Sequence, residues 1–154
     1  MIMIEYLGNK ELLNVPKTAF LASSTILPEE VLNVYDWAIR MAKEGKCVIS
    51  GFSSHLEREV FHFLAQGKQP IILVIARKMY KELPEELKEP LAQGRLLIIS
   101  TSSAVRQSKA TAHARNKYIC ELADQILFVG VTETSSLYEL QQQWSNKLKC
   151  LPLY

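Results

Sequence analysis

Residues 71–75 read Ile-Ile-Leu-Val-Ile, apolar at every position. No other stretch constrains the fold as tightly. A strand with one wet face alternates apolar and polar side chains, so an unbroken apolar strand has to be covered on both faces, as in a parallel sheet between helices. Four more short runs share the character: 18–22 (Thr-Ala-Phe-Leu-Ala), 46–50 (Lys-Cys-Val-Ile-Ser), 96–99 (Leu-Leu-Ile-Ile) and 125–130, whose core is Ile-Leu-Phe-Val.

The segments between the runs read as helices. Pro28, Glu29 and Glu30 mark a helix start, Val31, Val34, Tyr35, Ala38 and Ala42 recur at helical spacing, and Gly45 supplies the stop. Ser53-Ser54 opens a second helix carrying Leu56, Val60, Phe63 and Leu64. A short third helix with Leu83, Leu87 and Leu91 is expected to be interrupted by Pro90, a fourth to cover 115–122, and a fifth to present Leu137, Leu140, Trp144 and Leu148. Residues 150–154 are expected to add an edge strand. Alternating strands and helices imply right-handed crossovers and an α/β, doubly wound, mainly parallel sheet with helices on both faces, Rossmann-like. At 154 residues, 1–154 is expected to form a single nucleotide-binding domain.

Composition excludes more than it selects. Eighteen Lys and Arg against sixteen Asp and Glu leave a formal charge of +2, too little to announce nucleic acid by itself. Distribution says more: residues 90–120 hold no acid, but do hold Arg95, Arg106, Lys109, Arg115 and Lys117. Cys47, Cys120 and Cys150 are too few and too scattered for a disulfide framework or a CxxC site, which fits a reducing cytoplasm. The N-terminal stretch is unlike a signal peptide and no apolar run reaches a membrane span, so no membrane association is expected. His55, His62 and His113 have no metal-ligand spacing, so neither metal nor cofactor is expected. The chain has no G-x-S-x-G elbow, no Walker loop and no G-x-G-x-x-G fingerprint, which demotes serine hydrolases, P-loop NTPases and ordinary NAD dehydrogenases.

In a doubly wound sheet, ligands bind outside the carboxyl ends of the strands. Four of the five strand ends are rich in hydroxyls: Ser23-Ser24-Thr25, Ser50-Gly51-Phe52-Ser53-Ser54, Ser100-Thr101-Ser102-Ser103, and Thr132 with Thr134-Ser135-Ser136. Such loops, running into helix N-termini, suit a phosphate. They also suit helix capping, and Ser54 with Glu57 and Ser136 with Glu139 both have capping-box spacing. Arg115, Asn116 and Lys117, read as the start of a helix, would add a guanidinium fork and an ammonium charge.

Several of these stretches resemble the Rossmann-like core of the DNA-processing family DprA, also called Smf, within the SLOG group of nucleotide-binding folds. Residues 50–57, Ser-Gly-Phe-Ser-Ser-His-Leu-Glu, are similar to the family's S-G-x-A-x-G-I-D. Arg115-Asn116-Lys117 resembles its R-N-R, Thr134-Ser135-Ser136-Leu137 its S-G-S-L, and Ala22-Ser23-Ser24 its G-S-R. Ala22, His55 and Ser135 stand where the family has glycine. The resemblance covers roughly 18–140 and lacks the flanking modules of longer members. It implies binding of a nucleotide or single-stranded nucleic acid, without chemistry of its own, by Ser23, Ser50, Gly51, Ser53, Ser54, Arg115, Asn116, Lys117, Ser135 and Ser136.

Two alternatives remain open. Ser135-Ser136-Leu137-Tyr138-Glu139 is similar to the G-T-x-x-E part of the lysine-decarboxylase-like phosphoribohydrolases. That resemblance implies a nucleoside-monophosphate hydrolase with Glu139 beside the ribose and Arg115 on the phosphate. The other alternative is a degenerate domain acting as a homo-oligomer or partner module, with Trp37 or Trp144 in an interface.

Overall fold

The computed structural model describes residues 4–149. Within them β1 (Glu5–Gly8), β2 (Lys17–Ala22), β3 (Cys47–Ser50), β4 (Ile71–Ile75), β5 (Leu96–Ser100) and β6 (Gln125–Val129) form one sheet in the order β1-β5-β4-β3-β2-β6. All neighbours are parallel except β1, which runs antiparallel along β5, pairing Tyr6 with Ile99. The helices are α1 (Pro28–Glu44), α2 (His55–Ala65), α3 (Glu85–Ala92), α4 (Lys109–Leu122) and α5 (Tyr138–Gln143). The expected α/β fold is therefore the one observed.

The apolar runs have their explanation in the two faces of the sheet. Ile71, Leu73 and Ile75 pack into a core with Val34, Trp37, Val60 and Leu64 from α1 and α2. Ile72 and Val74, pointing the other way, pack with Ile119, Cys120 and Leu140 from α4 and α5. Burying each such side chain is worth about 1.5–3 kcal/mol, so a polar residue at any of the five positions would be costly. Trp37 lies in the first core, stacked on Phe20 with ring centroids 5.2 Å apart.

Local signals account for the helix ends, with three corrections. Pro28 opens α1 and Gly45 closes it in the left-handed region at φ 70°, as expected. Helix α4 begins at Lys109, six residues before Arg115, because Ser108 and Thr111 cap each other: the Ser108 hydroxyl accepts from Thr111 N–H at 3.1 Å and the Thr111 hydroxyl from Ser108 N–H at 2.8 Å. Pro90 does not interrupt α3, which runs on to Ala92; the carbonyl left without a partner would belong to Glu86, an exposed residue. The Ser136–Glu139 capping box does not form. Leu137 occupies the cap position of α5, and Ser135 Oγ instead accepts from Leu137 N–H at 3.2 Å. Helix α5 is short and gives way to a 3-10 turn at Ser145–Lys147. The edge strand expected at 150–154 lies outside the described residues.

From β2 the chain moves to β3, β4 and β5 on one side, then returns through α4 to place β6 on the other side of β2. This reversal is the switch point, and it opens a crevice over the carboxyl ends of β2 and β6. No helix among the described residues is long and apolar enough to cross a membrane.

Candidate functional site

The crevice has a volume of about 430 Å³. One wall is the turn after β2, with Ser23, Ser24 and Thr25; the facing wall is the turn after β6, with Gly130, Thr132, Thr134, Ser135 and Ser136. Ser53, Ser54, Glu57, Gln107 and the α4 residues Arg115 and Asn116 also line it. Gly130 is at φ 71°, and a Cβ there would come within 2.8 Å of the Thr25 carbonyl oxygen, so only glycine lets the two walls approach.

Seven of the residues expected to bind phosphate therefore meet in one place: Ser23, Ser53, Ser54, Arg115, Asn116, Ser135 and Ser136. The others lie elsewhere. Ser50 is fully buried and its hydroxyl accepts from Phe52 N–H at 3.1 Å, supporting a turn in which Phe52 takes φ 45°. Lys117 is exposed on α4, about 200° around the helix from Arg115. Glu139 is exposed and does not line the crevice. Nor do residues 90–120 act as one basic surface: Arg95, at the amino end of β5, donates to the Leu64 and Ala65 carbonyls at the end of α2 and to the Gln69 carbonyl in the loop that follows.

The side chain that organises the strand ends is Glu57, which the sequence suggests only as a capping partner. Its Oε1 accepts from Ser53 N–H at 2.9 Å and Ser54 N–H at 3.2 Å, and its Oε2 from Ala22 N–H at 2.9 Å. The expected capping box with Ser54 is present as well. A carboxylate that is 5% exposed thus ties the end of β2 to the loop after β3, and it engages backbone donors that a bound phosphate would otherwise use.

Arg115 stands behind this carboxylate. It is 3% exposed, with Nε donating to Asn116 Oδ1 at 2.8 Å and Nη1 to the Val74 carbonyl at 3.4 Å. Burial pulls the guanidinium below its ordinary range, and the Glu57 charge opposes that shift. Gly51 is needed for this packing: a Cβ there would stand 2.4 Å from Nη1. Its glycine makes room for an arginine of the same chain.

A second cavity, of about 330 Å³, opens beside the first over the ends of β3 and β4. Arg115, Ser53 and Gln107 line both, and a hydrogen bond of 3.1 Å from Gln107 Nε2 to Ser53 Oγ lies along the shared wall. Arg58, His62, Arg77 and Tyr80 line the second cavity and were not expected from the sequence. A signal for one of them exists, because Arg77 follows β4 almost at its carboxyl end, where the strand-end rule directs attention.

The sequence matches the family described as DNA recombination-mediator protein A over residues 2–142. No curated protein matches it. Among solved structures, DNA processing protein A from Helicobacter pylori, described with a single-stranded DNA binding mode, superposes with a TM-score of 0.76 at 21% identity, covering 98% of this chain and 72% of that one. DNA processing protein A from Streptococcus pneumoniae gives 0.75 at 20% identity, over 98% of this chain and 55% of that one. A molybdenum cofactor binding protein from Rippkaea orientalis gives 0.54 at 11% identity over 88% of each chain. At these identities the likenesses concern the fold.

Proposed function

We propose that this chain, which belongs to the DNA recombination-mediator protein A family, binds single-stranded nucleic acid as a single domain, without chemistry of its own, and seats a phosphate in the crevice between β2 and β6. The observation that carries this reading is the convergence there of hydroxyls from three separate strand ends, with the buried Arg115 and the half-buried Asn116 behind them. Ser and Thr hydroxyls and an Asn amide are the donors that position a nucleic-acid backbone. The one acid in the lining, Glu57, is spent on three backbone N–H groups, so its charge is partly offset by the donors aimed at it and by Arg115. The single-stranded DNA binding mode of the Helicobacter pylori relative supports the choice of partner.

Fluorescence anisotropy with a labelled single-stranded oligonucleotide, across a salt series, tests this. Binding should weaken steadily with salt. Ser24→Glu and Ser135→Glu, each placing a charge on one crevice wall, should lower affinity at least tenfold, with thermal stability unchanged for Ser24→Glu and lowered for Ser135→Glu only by the lost bond to Leu137 N–H. A wild-type protein with no affinity at low salt, or two variants that bind as well as wild type, would refute it.

A further inference from the structure

We propose that the second cavity, between α2, the turn at 76–80 and α3, is a separate site for a mononucleotide, with the base on its apolar floor and the phosphate on Arg58 and Arg77. The floor is made of Phe61, Leu73, Ile75 and Leu87, buried side chains from α2, β4 and α3. Around it stand three arginines, Arg58, Arg77 and Arg115, against one acid, Glu86. An apolar floor with a cationic rim selects a ligand that is flat and apolar at one end and anionic at the other. A free sugar phosphate leaves the floor unused, and a nucleoside leaves the arginines unused.

Arg77 is held in advance for this role. Its Nε donates to the Lys78 carbonyl at 3.0 Å and its guanidinium lies 4.9 Å over the Tyr80 ring. A guanidinium fixed in this way loses less side-chain freedom when it pairs with phosphate than a free surface arginine does. Arg58 and His62 are one helical turn apart on α2 and exposed at the mouth, where a bound anion is within their reach. The volume lies in the range of small-molecule sites.

Isothermal titration of the full chain at low salt, using adenosine monophosphate, thymidine monophosphate, adenosine and inorganic phosphate, tests the proposal. At least one of the two nucleotides should bind at least tenfold more tightly than adenosine or phosphate. Arg58→Ala and Arg77→Ala, both outside the core, should each weaken it tenfold or more in a chain that still unfolds in one cooperative transition, while Ser24→Glu and Ser135→Glu should leave it intact. The proposal fails if neither nucleotide binds at millimolar concentration, if phosphate alone binds as tightly, or if the arginine variants bind normally. It also fails if the two serine variants abolish nucleotide binding, because the ligand then occupies the crevice. Arg77-dependent nucleotide binding by a chain that shows no affinity for single-stranded DNA would leave this site standing and remove the function proposed above.

Discussion

Replacing Glu57 by Gln tests whether one carboxylate holds the strand ends together. The substitution keeps the shape of the side chain but leaves it one accepting oxygen where there were two. If the amide oxygen takes the Oε1 position, the contacts with Ser53 and Ser54 survive and the NH2 group faces Ala22 N–H, donor against donor, in a buried place. An unsatisfied buried donor costs about 1–3 kcal/mol. The two surviving bonds lose their charge assistance, worth about another 1 kcal/mol. The sum is about 3 kcal/mol, which for a domain of this length lowers the melting temperature by roughly 6–12 °C. Ser54→Ala, which removes only the hydroxyl that accepts from Glu57 N–H at 3.4 Å, should cost about 1 kcal/mol. Urea unfolding followed by circular dichroism on wild type, Glu57→Gln and Ser54→Ala measures all three. A Glu57→Gln variant no less stable than Ser54→Ala would refute the idea that the carboxylate does more than cap α2.

Three further expectations rest on buried groups. Gly51→Ala would put a methyl group 2.4 Å from Arg115 Nη1 and 2.5 Å from Cζ, and the displaced guanidinium should cost about 1–3 kcal/mol; an unchanged urea midpoint would contradict this. The thiols of Cys47 and Cys120 are pushed up to about 12 by burial, from an ordinary 9.0. In a Cys150→Ser background, native protein at pH 8 should therefore resist a thiol reagent that labels both sites in urea, and fast native labelling would count against the burial described here. The folded state holds both protons more tightly than the unfolded one, so this contribution is complete below pH 9 and is lost as pH rises toward 12. At pH 10 the loss is about 1.4 kcal/mol per thiol, visible as a lower urea midpoint than at pH 8.

What could be read from the sequence follows from how each element is stabilised. The five parallel strands were legible because burial on both faces leaves a mostly apolar run, without a single polar position at 71–75. Strand β1 left no such mark: Glu5–Gly8 is exposed throughout and is held by backbone pairing with β5. The true start of α4 was hidden for a related reason. Its first turns, Lys-Ala-Thr-Ala-His-Ala, carry no apolar stripe, and Ser108 is answered by Thr111 where the familiar box has a Glu or Gln. The crevice was legible as a set of strand ends, since topology alone brings Ser23, Ser53 and Ser135 together. Arg58 and Tyr80 were not, because which face of α2 and which side of a turn meet a cavity depends on how α2 and α3 pack. The role of Glu57 was half legible: its spacing from Ser54 shows the cap, and nothing local shows Ala22, 35 residues earlier in the chain.

Arg115 lines both cavities and is packed too tightly to serve them independently. A ligand that shifted Arg115 from one compartment would be felt by a ligand in the other. Thermodynamic linkage then requires symmetry: the factor by which the first occupant alters the affinity of the second equals the factor by which the second alters the first. If both compartments take ligands, this one buried side chain would couple them, with Gly51 and Glu57 packed against it on either side.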